Sequence, residues 1–150
     1  MSLTQCANRV FLTPTDTTVG FISQNADRLT ELKERPPHKH YIKALPSLRS
    51  LRSLVRVPER HKNRVRRAKR TTFVFPNSHS YRVVKDHPHQ RLIRQLGWAY
   101  TTSANISGEA YDETFAKSAA DIVVAYPFKR SRHTASKIYR LNNSNIRRLR

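Results

Sequence analysis

The stretch Thr101-Thr-Ser-Ala-Asn-Ile-Ser-Gly-Glu109 decides how the rest of this chain is read. It follows Trp98-Ala-Tyr100, a short run of strand character, and then crowds hydroxyls and an amide around Gly108. A second segment, Thr13-Pro-Thr-Asp-Thr-Thr-Val-Gly20, follows Arg9-Val-Phe-Leu12 in the same manner. The chain has three glycines, and Gly20 and Gly108 fall in these two segments. Glycine is the residue of choice where a backbone turns sharply or approaches a ligand closely. A strand end followed by hydroxyls, an amide and a glycine is how an α/β protein builds a polar rim for phosphate or carboxylate. Such stretches also make ordinary turns, so neither segment decides alone. A third segment, Leu32-Lys-Glu-Arg-Pro36, sets Lys33 and Arg35 two apart at the end of a helix predicted over 27–33, and Pro36 and Pro37 stop it. Cations in that position also serve the helix dipole.

In order and approximate spacing, these segments resemble the YrdC-like family of threonylcarbamoyl-adenylate synthases. The matches are Pro-Thr-Asp-Thr-x-x-Gly at 14–20, Lys-x-Arg-Pro at 33–36 and Thr-Ser-Ala-Asn-x-Ser-Gly at 102–108. Thr71-Thr-Phe-Val-Phe75 resembles the family's central Thr-bearing strand, and Tyr81-Arg-Val83 its later Arg-bearing strand. Ser136-Lys-Ile-Tyr139 and Ile146-Arg-Arg148 resemble its closing segments. The resemblance runs from residue 9 to about 148. Departures are Val19 where the family usually has Tyr, no Pro after Arg82-Val83, and Lys137 in place of Thr. About a dozen residues precede the first loop, where the family usually has a helix and strand.

The resemblance implies an α/β fold: one twisted mixed parallel and antiparallel sheet with flanking helices, as a single domain over 1–150. It implies synthesis of threonylcarbamoyl-AMP and pyrophosphate from ATP, L-threonine and bicarbonate, for modification of tRNA. Lys33 and Arg35 would be catalytic. With Ser103 and Asn105 they would hold the nucleotide, joined by Ser136 and Arg147. Thr15, Thr17 and Arg82 would hold threonine. The chemistry suits these residue types. Attack of a carbamate oxygen on the α-phosphorus brings two anions together, and such reactions need positioning and cations aimed at developing charge. A lysine supplies a point charge and an arginine a planar fork. Mg²⁺ is expected on the triphosphate itself, because no carboxylate cluster offers a dedicated cage. Asp16, the one acid in the first motif, reads as a loop cap.

Composition adds a partner. The formal charge is +19 over 150 residues. Residues 28–70 hold 15 Lys/Arg against three Glu, and residues 129–150 hold eight against none, whereas 71–128 balance to zero. Two basic segments thus decorate a nearly neutral core, which points to a polyanion: tRNA or double-stranded RNA. Arg56–Arg70 is densest, and a helix over 59–68 would put Arg60, Arg64 and Arg67 on one face, with Arg56 just before it. Without interleaved aromatics this ridge suits shape-based contact. No apolar run spans a bilayer, no signal peptide is recognised, and a lone Cys6 suits a reducing compartment, so the expectation is a cytoplasmic protein without membrane contact; the resemblance adds other tRNA-modification proteins as expected partners.

Strands are predicted at 9–13, 40–45, 71–76, 80–84, 98–102, 121–125, 136–140 and 145–148, and helices at 27–33, 47–54, 59–68, 88–96 and 111–118. Residues 71–75 and 80–84 read as an antiparallel hairpin. A mobile segment is expected from Phe128 to Ala135. The pairs His38/His40 and His87/His89 lack partners at metal-site spacing and read as surface or RNA-facing, so no metal site is expected. Glu109, Asp112 and Glu113 read as a helix start. Two other readings remain: a non-catalytic RNA-binding protein of the same fold, in tRNA or ribosome maturation, and a basic ribosome-associated structural protein.

Overall fold

A computed structural model describes residues 2–125 and 134–150. Their strands are β1 (Phe11–Pro14), β2 (Val19–Ser23), β3 (Ile42–Leu45), β4 (Thr71–Val74), β5 (Ser80–Val83), β6 (Ala99–Ser103), β7 (Ile122–Val123), β8 (Lys137–Leu141) and β9 (Ile146–Arg148). They form one sheet in the order β7-β1-β2-β6-β3-β5-β4-β8-β9. The pairs β1–β7, β3–β5 and β4–β8 are parallel and the others antiparallel, so the sheet is mixed, as expected. The helices are α1 (Leu3–Cys6), α2 (Ala26–Lys33), α3 (Leu48–Leu54), α4 (Lys62–Arg67), α5 (Gln90–Leu96) and α6 (Glu113–Ala119).

Strand alternation sorts the core into two faces. On one face Leu12 and Phe21 pack with Leu29 of α2 and Ala116 of α6. Further along that face Leu45, Phe73 and Tyr81 pack with Leu51 of α3 and Val65 of α4. On the opposite face Ile22, Ala44, Val84 and Ala99 pack under Ile93 of α5. Three of those positions turn polar, or lose the side chain, two residues on along the same face: Ile22 gives way to Gly20 and Ala99 to Thr101, while Val84 gives way to Arg82; beside Ala44, Ile42 stays apolar and lines the cleft. α5 therefore covers one end of this face, and the other end opens as a cleft.

Local chemistry sets the ends of the elements. Asn25 caps α2 by accepting from the Arg28 N–H, Ser47 caps α3 through Ser50, and Asp112 caps α6 through Phe115. The predicted β4–β5 hairpin is present. The predicted helix over 59–68 is instead a 3₁₀ turn at Glu59–His61 followed by α4. Strand β2 is a correction: no strand is predicted between residues 13 and 40, yet Val19–Ser23 forms one, with Val19 and Gly20 pairing with Pro14 and Thr13. Gly20 has no positive φ; an added Cβ there would lie 3.0 Å from the Thr102 carbonyl oxygen of β6. Gly108 has the opposite need, a φ of +82° with open space around it. Of the expected mobile segment, residues 128–133 lie outside the described residues.

Candidate active site

The open end of the sheet is a cleft of about 390 Å³, lined among others by Thr15, Thr17, Arg35, Arg82, Ser103 and Ser136. The β1–β2 loop brings the threonines, β5 brings Arg82, and the end of β6 brings Ser103. Six of the candidate residues thus meet around one space, although up to 121 positions separate them in sequence.

Arg82 is the most constrained of them. Its side chain is 3 % exposed, yet it is a cleft wall. One guanidinium nitrogen donates to Asp16 Oδ1 at 2.9 Å and to Thr17 Oγ1 at 3.1 Å. Its Nε–H, equally buried, has no hydrogen-bond partner among the described residues. Burial pushes the Arg82 pKa down, and the Asp16 carboxylate opposes that shift. The guanidinium thus keeps its charge, with donor capacity unused. Asp16 therefore anchors Arg82 rather than capping its loop. The sequence signal was available: Asp16 is a lone acid among the hydroxyls of its loop.

Behind Asp16 lies a second correction. His89, read as surface or RNA-facing, is 0 % exposed at the start of α5. Its Nε2 is 4.0 Å from Asp16 Oδ1 and its Nδ1 is 2.8 Å from His87 Nδ1. Burial, with Arg82 and His87 beside it, pushes the His89 pKa down to about 2. The imidazole is neutral, so its approach to Asp16 is packing and not an ion pair. His38 and His40 are exposed, as expected.

Lys33 and Arg35 divide their work. Glu34 ends α2 in the left-handed conformation (φ 49°), and the Arg35 N–H closes on the Thr30 carbonyl. That turn sends the two cations in different directions. Lys33, 3 % exposed, donates from Nζ to the carbonyls of Ser103 and Asn105, each at 2.7 Å. It braces the loop after β6 from beneath, and burial together with Arg35 lowers its pKa to about 8. Asn105 braces the same loop by donating to the Ile106 and Glu109 carbonyls. Neither Lys33 nor Asn105 lines the cleft; Ser103, which they hold up, does. Arg35 reaches the cleft with its guanidinium 4.5 Å over the Tyr41 ring and donates to the His40 carbonyl at 3.0 Å. Its Nε–H is also buried without a partner among the described residues.

The far wall is Ser136. Its hydroxyl meets Thr72 Oγ1 at 2.9 Å. Arg150 donates to the Ser136 carbonyl at 3.0 Å and to its hydroxyl at 3.3 Å, and it lines the cleft. Arg147 does not; it is exposed on β9 opposite Arg140. Arg150 was missed because it belongs to no motif. The basic ridge is split. Arg60 donates to the Ser144 carbonyl, Arg64 lies 5.5 Å over Tyr139, and Arg67 shares a hollow with Arg64. Arg56 lines a separate hollow against α3. Among the described residues no group of His, Cys, Asp and Glu is arranged to hold a metal ion, and no helix is long and apolar enough to cross a membrane.

The profile of a family described as Telomere recombination, comprising Sua5, YciO and YrdC, matches residues 6–150. The chain belongs to the Sua5/YciO/YrdC family. It is 28% identical over 142 residues to an uncharacterized protein of Mycoplasma genitalium, covering 88% of this chain and 30% of that one. Its fold is similar to that of P. abyssi Sua5 in two structures. One, a double variant, has a TM-score of 0.83 at 19% identity over 95% of this chain and 52% of Sua5. The other, a complex with L-threonine, has a TM-score of 0.81 at 21% identity over 95% and 50%. Full-length HypF in its phosphate- and nucleotide-bound form matches with a TM-score of 0.70 at 14% identity over 99% of this chain and 28% of HypF. The chain thus spans about half of Sua5 or less than a third of the other two relatives.

Proposed function

We propose that this cleft is a threonylcarbamoyl-AMP synthase site, acting for tRNA modification. The observation that carries the reading is the pair of arginines, Arg82 and Arg35, each with a buried Nε–H that has no hydrogen-bond partner among the described residues. A buried, unpaired donor is costly, and an anionic substrate group removes the cost. Arg82 would take the carboxylate of L-threonine and Arg35 the triphosphate of ATP. Ser103 and Ser136 would orient phosphate oxygens without adding charge. The L-threonine named in the Sua5 complex and the nucleotide named in the HypF form agree with this division.

The threonine amine condenses with bicarbonate to a carbamate, releasing water. A carbamate oxygen then attacks the α-phosphorus, and the bond to the bridging oxygen breaks to release pyrophosphate. The chain's residues would hold the two anions in line and offset the charge gathering on the leaving group. Mg²⁺ would arrive on ATP as part of the substrate, since Asp16 is committed to Arg82. Lys33 would act through the loop it braces, by fixing Ser103.

Purified protein incubated with labelled ATP, L-threonine, bicarbonate and Mg²⁺ is expected to release pyrophosphate only when both threonine and bicarbonate are present. Ser103→Ala and Lys33→Ala are expected to lower that release and to leave RNA affinity unchanged. The second reading, a non-catalytic RNA-binding protein, draws on the exposed cations around α4. It is preferred if RNA binds and no pyrophosphate forms.

A further inference from the structure

We propose that the hollow at the end of α3, on the face of the sheet opposite the cleft, is a docking site for another protein, and that its occupant is an amphipathic helix with leucines along one side and carboxylates flanking them. α3 reads Leu48-Arg-Ser-Leu-Arg-Ser-Leu54, with a leucine at every third residue. A helix turns about 100° per residue, so each step of three falls about 60° short of a full turn. Leu51 lies in the core at 2 % exposure, whereas Leu54, one step on, has rotated out of it and is 48 % exposed. A single exposed leucine is ordinary on a protein surface. This one borders a hollow of about 680 Å³ whose apolar lining continues through Leu48, Val55 and Val57. The hollow shares no lining residue with the cleft, so an occupant leaves the cleft open.

Charge on the rim says what the occupant carries. Arg52, Arg56 and Arg66 line the hollow and are exposed, and none of them has an ion pair among the described residues. Glu59, the one acid that lines it, is already paired with Lys62. An arginine fork takes a carboxylate through two parallel hydrogen bonds, so three free forks select an acidic partner. The formal charge of +19 steers such a partner toward the chain. The apolar lining separates this hollow from a seat for phosphates. Phosphates are held by cations and N–H groups and gain nothing from covering Leu54. An apolar centre with arginines at its edge is the composition of a protein–protein contact.

Topology selects a helix as the shape of the occupant. α3 packs on β3 and β5, and both are interior to the sheet, between β6 and β4. No strand edge is open beneath the hollow, so an extended peptide has nothing to pair with there. A helix binds through side chains alone. Its leucines at i, i+4 and i+7 would cover Leu54 and Val55, and carboxylates beside that stripe would meet Arg52, Arg56 and Arg66. The docking site is independent of the synthase reading and stands if that reading fails.

The test is fluorescence anisotropy over a range of salt, with a labelled synthetic peptide of about 18 residues, long enough to be helical alone. It is rich in glutamate and carries leucine at i, i+4, i+7 and i+11; its control carries alanine at those positions. Wild-type protein is expected to bind the leucine peptide and to bind the alanine peptide far more weakly. Leu54→Ala is expected to weaken binding about three- to tenfold with an unchanged salt slope. Its melting temperature should stay level, since the side chain is half exposed and alanine suits a helix. Arg52→Gln is expected to weaken binding and to make the salt slope shallower. Arg49→Gln, on α3 but outside the hollow, is expected to match the wild type. Equal binding of the two peptides overturns the proposal, because charge alone then holds them, and so does a Leu54→Ala variant that matches Arg49→Gln. Two further results would assign the hollow to a different occupant and overturn it too. One is a loss of duplex RNA affinity in Leu54→Ala as large as the loss of peptide affinity. The other is a wild-type dimer in sedimentation velocity that Leu54→Ala dissociates, which would make a second copy of the chain the occupant.

Discussion

Ile22, Ala99 and Val84 occupy one half of a sheet face, and Gly20, Thr101 and Arg82 occupy the other half of the same face on the same strands. The first half lies under Ile93 of α5 and excludes water; the second faces the cleft. The two halves differ by two residues along each strand, which is the period of strand side chains. A site is therefore made here with no special fold element. A helix stops short, the strands beneath it change chemistry, and one buried arginine is left with an anchored end and an idle end.

The largest effect should come from breaking the polar half. Arg82→Met leaves Asp16 buried without its partner, and urea unfolding should show a loss of about 3–5 kcal/mol. Adding Asp16→Asn should return part of it, since the uncompensated charge is then gone. A loss under about 1 kcal/mol for the single variant would mean that the anchored end is not load-sharing in the fold.

The apolar half should break differently. Ile93→Ala removes a fully buried side chain over Ala44 and Val84 and should cost about 2–4 kcal/mol. Threonine affinity of the folded variant, read by calorimetry, should stay at the wild-type value. If affinity falls with stability, the halves are not separable. Gly20→Ala tests the seam between them. Its Cβ would press on the Thr102 carbonyl at 3.0 Å and on the Thr15 methyl at 3.3 Å. Forcing β2 from β6 should cost about 1–3 kcal/mol and disturb the Thr15 loop.

The smallest effect is electrostatic. Unfolded His89 takes up a proton near its ordinary pKa of 6.5, whereas the folded imidazole resists down to about 2. In that window the unfolded chain binds more protons, so stability falls as pH falls. Between pH 7.5 and 5.5 His89 should account for about 1 kcal/mol of lost stability. Comparing the wild type with His89→Gln at the two pH values isolates it; equal losses in both would show that His89 is not the group responsible.

Much of this was legible in the sequence. The motifs at 14–20, 33–36 and 102–108 lie at strand or helix ends, where turn chemistry is local, and the strands at 71–74 and 80–83 read correctly from their residue types. Strand β2 was not legible, because Val-Gly-Phe-Ile-Ser hides a strand behind a glycine whose reason is the Thr102 backbone of β6. Lys33 and Asn105 were legible as a constellation, but their engagement with the loop carbonyls follows from the turn at Glu34 and the path of residues 103–109. Arg150 meets Ser136, and His89 is buried against Asp16 as well as its neighbour His87, so what places both lies in the tertiary fold. The ridge of Arg60, Arg64 and Arg67 assumed one helix, whereas the 3₁₀ turn at Glu59–His61 rotates Arg60 onto Ser144.

The central claim is that the idle end of Arg82 receives the substrate carboxylate. We would follow the arginine Nε–H resonances of ¹⁵N-labelled protein while adding L-threonine. The account predicts that the Arg82 resonance shifts and saturates with threonine, and that D-threonine or threonine amide moves it far less. Saturable threonine binding that leaves the Arg82 resonance in place would contradict the assignment, and so would the absence of any threonine-dependent change in the cleft.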